Sequence, residues 1–138
     1  MNAIGIDYKG ITHKFEACDE GIVSCIGYNL VSLIVSDGVK ILWCFDNLIK
    51  ELVIPESIKI LYCSNNLLKD LIISEGVEDV YCSDNLLENI EIPNSLKLLS
   101  CSNNNIKELN IKNLIGLSCD KHVKGLDKNI GDITIILE

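Results

Sequence analysis

Apolar and polar positions repeat in a fixed phase along most of this chain. In the stretch 58–71, IKILYCSNNLLKDL, the apolar places are Ile58, Leu61, Cys63, Leu68 and Leu71, with Asn66 set among them. The same string, L-x-x-L-x-C-x-x-N-x-L-x-x-L, returns at 77–90 and 96–109, and it is already present at 39–52. Cys25, Cys44, Cys63, Cys82 and Cys101 stand 19 residues apart, and Cys119 follows after 18. A period kept that strictly is the mark of a solenoid, in which each unit buries its apolar face against the next.

The phase assigns an element to each part of the unit. Leu61 and Cys63 alternate with polar or aromatic neighbours, the period of a strand with one buried face. The Asn that follows marks a turn, and Asn47, Asn66, Asn85 and Asn104 are expected to form a ladder, each amide bonding backbone of its own and the adjacent loop. About eight residues remain after the turn, with Pro55 or Pro93 near their middle, so the return segment is expected to be extended and not helical. The predicted architecture is mainly β: a solenoid with a parallel concave sheet, a short non-helical convex side and gentle curvature.

One domain covers the chain, with an N-terminal cap over 1–19, repeats over 20–123 and a C-terminal cap over 124–138. Ile4 and Ile6, then Ile11, His13 and Phe15, alternate around a DYKG turn and read as a hairpin. By period alone, Ile4, Ile6 and Ile11 also fall on core positions of a degenerate first coil. His13 and Cys18 are read as structural residues without partners. In the first clear unit Tyr28 stands where Asn is expected, an adjustment to the cap or a docking residue. At the far end His122 replaces Asn, where its ring N–H can serve the same bond. ITIILE (133–138) reads as a closing strand whose apolar residues cover the last coil.

These residues resemble a leucine-rich repeat, with Cys at the second inward strand position and Asn at the turn. The unit tails LVIPESIK (52–59) and IEIPNSLK (90–97) resemble the short repeats of amoeba-infecting giant viruses and their protist hosts. The resemblance spans roughly residues 20–123. It implies a binding scaffold, since such repeats carry surfaces and no fixed chemistry. It also implies work in the cytoplasm of an infected host.

Composition narrows the partners. Twelve basic against twenty acidic residues leave a net charge of −8, which argues against nucleic acid and anionic membranes. No apolar run is long enough to span a bilayer, and MNAIGIDYKG, without a charged and an apolar region, is not expected to be a secretory leader. Of seven cysteines, six share one phase of the repeat. Stacked parallel strands place such side chains about 4.8 Å apart and pointing the same way, which does not suit a disulfide. They read as buried thiols of a reducing compartment, here the cytoplasm.

Residues between the core positions face out from the concave sheet. Three columns result: Ile22, Ile41, Ile60, Asp79, Leu98; then Ser24, Trp43, Tyr62, Tyr81, Ser100, Ser118; then Ile26, Phe45, Ser64, Ser83, Ser102, Asp120. Ile22, Ile26, Ile41, Trp43, Phe45, Ile60, Tyr62 and Tyr81 thus gather into an aromatic and aliphatic patch, a candidate partner-binding site. The bland alternative is that the N-terminal cap folds over it. Three uses of the patch remain open: binding a protein partner, pairing with a second copy as a homodimer, or stacking a small ligand. No catalytic residue, cofactor or metal site is expected. Asp46, Asn65, Asp84 and Asn103 form a line of oxygens too sparse for calcium. The thiol ladder is linear, where zinc wants convergence, and Cys119 with His122 lacks a third group and an oxyanion site.

Overall fold

The computed structural model describes residues 1–111, 113–126 and 134–138. Among these residues the protein is all-β: a solenoid of about six coils with no helix. The coil strands are β3 (Ile22–Ser24), β5 (Ile41–Trp43), β6 (Ile60–Tyr62), β7 (Asp79–Tyr81), β8 (Leu98–Ser100) and β9 (Gly116–Cys119). A final strand, β10 (Thr134–Leu137), pairs parallel with β9. Together they make one seven-stranded sheet in the order β10-β9-β8-β7-β6-β5-β3. The register aligns Ile41 with Ile60, Ile60 with Asp79 and Asp79 with Leu98, the columns that the 19-residue period defines.

Beneath this sheet the core is a set of ladders. Val23, Leu42, Leu61, Val80 and Leu99 stack from coil to coil, as do Cys25, Cys44, Cys63, Cys82 and Cys101, all buried. The six ladder thiols are free, and Cys18 is free and exposed. Burial pushes the Cys25 thiol up to about 12 and drives Cys44, Cys63 and Cys82 higher than the ordinary thiol range. Thiols so held are neutral hydrophobes and poor nucleophiles.

Where the chain leaves the sheet, the Asn ladder forms as expected. Asn66 Nδ2 donates to the Cys44 carbonyl at 3.0 Å and to the Cys63 carbonyl at 3.1 Å, while its Oδ1 accepts the Ile49 N–H at 3.0 Å. Asn47, Asn85 and Asn104 repeat that pattern. His122 departs from it. Its Nε2 lies 3.1 Å from the Ile106 carbonyl and does not reach a Cys carbonyl.

A second, longer period runs through the turns. Asp46, Asn65, Asp84 and Asn103 all adopt φ between 54° and 57°, left-handed backbone that Asn and Asp tolerate best after Gly. Asn65 Nδ2 donates to Asp46 Oδ1 at 2.6 Å, and Asn103 does the same to Asp84 at 3.1 Å. At the opposite turn the chain reads SDGV, PESI, SEGV, PNSL. The N–H of Gly38 donates to Ser57 Oγ, whose own hydroxyl donates to the Val39 carbonyl; Gly76, Ser95 and Val77 repeat the clip. One set of clips joins coils one to two and three to four. The other joins two to three and four to five. Consecutive coils are therefore stapled alternately at the two turns.

The N-terminal cap is a hairpin, β1 (Asn2–Asp7) with β2 (Thr12–Glu16), as the alternation predicted. It docks antiparallel onto β4 (Leu30–Val35), the return segment of the first coil. The buried face, however, is Ala3, Gly5 and Asp7, and Ile4, Ile6 and Ile11 are exposed, so they are not core residues of a degenerate coil. Close approach explains the inversion: a Cβ on Gly5 would come within 2.7 Å of Leu30 Cδ1. His13 and Cys18 both have partners, contrary to expectation. His13 Nε2 is 3.0 Å from Asp7 Oδ2, and Cys18 Sγ donates to Glu20 at 3.0 Å. Tyr28 packs edge-on against Phe15 at 4.9 Å and against His13 at 5.3 Å, so it belongs to the cap. At the other end β10 forms the expected closing strand, with Ile135 packed inward but Ile136 and Leu137 exposed. Ile133 and most of 124–133 lie outside the described residues.

Candidate aromatic interface on the parallel sheet

Strand geometry places alternate residues of β3, β5, β6 and β7 on the solvent side of the sheet, and the parallel register stacks them. All eight residues of the anticipated patch come to this side. Ile22, Ile41 and Ile60 form one row, Trp43, Tyr62 and Tyr81 the next, and Ile26 and Phe45 lie beyond the strand ends. None is buried. Trp43 is the most open, at 37% of its surface; the other seven are partly exposed. The hairpin docks on β4, past the turn from β3.

The aromatic row is ordered by mutual packing. Tyr62 and Tyr81 stack face to face, with ring centroids 4.4 Å apart and planes 3° from parallel. Trp43 meets Tyr62 edge-on at 6.4 Å and 87°. Neighbouring rings hold one another's rotamers, so the row is presented already organised. Burial raises the Tyr81 phenol above its ordinary value, with Tyr62 and Asp79 adding to the shift.

Two features of the surface were not anticipated. The first is that the carboxylate of Asp79, which stands in the outward row between Ile60 and Leu98 as the period places it, makes no hydrogen bond or ion pair among the described residues. Its carboxyl is held above the usual aspartate range by burial first and by Glu78 second. The second feature lies on the return side. Ile34, Val53 and Ile72 are exposed by 74%, 82% and 82%, more than any residue of the patch, and Ile4 pairs beside Ile34. The signal for them was in the tails LVI and LII, whose middle residue must point away from the core when its neighbours point in.

Among the described residues, every buried side-chain nitrogen or oxygen has a hydrogen-bond partner. Asp46 and Asp84, the carboxylates of the turn column, are bonded to Asn65 and Asn103. No protein-family model, no curated protein and no solved structure matches the chain.

Proposed function

We propose that this chain is a non-enzymatic binding module whose partner is a protein held on the outward face of the parallel sheet. One observation carries the reading: Trp43, Tyr62 and Tyr81 stand in register on successive strands, pre-packed and open to solvent, with Ile41, Ile60 and Phe45 around them. Rigid aromatic side chains lose little freedom on binding and dominate interface energetics. The neutral, buried thiols leave no reactive cysteine in the ladder and support a role without covalent chemistry. The resemblance of the repeats to leucine-rich repeats of giant viruses and protists supports the same reading, with a host protein as partner and the host cytoplasm as its location.

The test uses peptides selected against the wild-type protein from a displayed random library. Trp43→Ala is expected to weaken the selected peptides by about 2 kcal/mol, roughly thirtyfold, while the fold is retained. Peptides that bind the variant as tightly as the wild type contradict the proposal. So does a wild type that light scattering shows to be a dimer and Trp43→Glu shows to be a monomer, since the face is then occupied by a second copy.

A further inference from the structure

The aromatic row ends abruptly at Tyr81. The next residues in its column are Ser100 and Ser118, and beside them Gly116 follows Leu98. This drop in side-chain size leaves a recess of about 400 Å³, lined by Tyr81, Leu98, Ser100, Gly116, Ser118 and Ile136 among others. Tyr62 covers one face of the Tyr81 ring. The other face looks along the column toward Ser100, which is too small to cover it. The recess thus has a flat aromatic wall, apolar sides and hydroxyls on its floor.

The charges around it are mainly acidic. Asp79 does not line the recess but flanks it, two residues before Tyr81 on the same side of the strand and beside Leu98 in register. Lys97 is near enough to oppose the upward shift of the Asp79 carboxyl, but its ammonium is bonded to Glu78 at 2.6 Å. On the recess floor the Ser118 hydroxyl donates to Glu138 at 3.2 Å, which brings a second carboxylate to the rim. A carboxylate partly withdrawn from water, with no cation bonded to it, is a standing cost that a bound cation would relieve.

We infer that the recess receives an arginine side chain of the partner polypeptide, its guanidinium stacked on the open face of Tyr81 and its N–H groups directed to Asp79. The assignment rests on the reading of this sheet face as a protein-binding surface and names the chemistry of what binds there. Arginine fits better than lysine because its cation is planar, stacks on an aromatic face and offers a fork of donors to a carboxylate. The acidic balance of the chain, −8 overall, favours the approach of a basic segment.

Ring-labelled tyrosine gives a direct readout by NMR, with Tyr8 and Tyr28 in the cap as internal controls. The probe is N-acetyl-arginine amide, which carries the charge of an arginine within a chain. Its addition is expected to shift the Tyr81 ring signals saturably and to leave Tyr8 and Tyr28 in place. Asp79→Asn should weaken the probe by about tenfold, the effect of losing a charge-assisted pair. Ser100→Tyr continues the aromatic column into the recess and should abolish binding, while the neutralising control Glu56→Gln should change nothing. N-acetyl-lysine amide binding as well as the arginine probe, or an unchanged affinity in Asp79→Asn, overturns the assignment. A preference for free L-arginine overturns the polypeptide as its source. If Tyr81 stays still while selected peptides still require Trp43, the recess assignment alone falls. If the probe binds while Trp43→Ala costs those peptides nothing, the sheet-face reading falls, and with it the polypeptide as the source of the arginine, while the recess keeps its preference for the arginine side chain.

Discussion

At the residue scale the ladder asparagines show how repetition shares hydrogen bonds. The Cys44 carbonyl accepts from both Asn47 and Asn66, and the Cys63 carbonyl from both Asn66 and Asn85. Removing Asn66 therefore strands one group completely, the buried Ile49 N–H. Asn47 is different: the coil before it carries Tyr28, so Cys25 has no ladder amide but that of Asn47. Asn66→Ala is expected to cost about 2 kcal/mol in urea unfolding, and Asn47→Ala about 1 kcal/mol more, because it strands two buried groups. Equal costs would contradict the shared-acceptor account. The ladder was legible in the sequence because Asn recurs at one phase. The left-handed backbone at Asp46, Asn65, Asp84 and Asn103 was not, since the same residues suit any solvated turn. Asp79 passed as one polar residue in an apolar column until its lack of a partner could be seen.

The elements were legible to different degrees for a related reason. The coil strands follow from the 19-residue phase, and stacking that phase in register leaves one consistent arrangement. The hairpin has no repeat to set its phase. Its isoleucines argued for an inward face, yet Gly5 is the residue that crosses Leu30 closely, and the isoleucines turn out. The alternation of Gly with Ser and of Asp with Asn over two coils was present in the sequence as a 38-residue period, hidden beneath the stronger one. Asp7 fixes the hairpin turn, accepting the N–H groups of Lys9 and Ile11 at 2.9 Å and facing His13 at 3.0 Å. The His13 bond, then the Ile11 and Lys9 bonds, hold its carboxyl below the ordinary value of 3.8 against an opposing effect of burial. A value lower in the folded state favours folding when the carboxyl is ionised. The contribution is thus whole above the ordinary value and is lost as pH falls through the folded one. Amides of β1 should lose exchange protection as pH drops below about 4, and Asp7→Asn should flatten that local dependence. The same acid loss in Asp7→Asn would assign the effect to another group.

On the scale of the whole molecule, two apolar surfaces compete for the role of interface. The return side exposes Ile34, Val53 and Ile72 far more fully than the sheet exposes any of its rings. Exposure alone would choose the return side. Organisation chooses the sheet, because its residues are aromatic, held by one another and bordered by an unpaired carboxylate, whereas the return row is a file of separate aliphatic side chains. Hydroxyl-radical footprinting of the wild-type protein with a selected peptide bound compares the two sides in one measurement. The account predicts that Trp43, Tyr62 and Tyr81 become protected while Val53 and Ile72 oxidise as they do in the free protein. Protection of Val53 and Ile72, with the three rings unchanged, would contradict it.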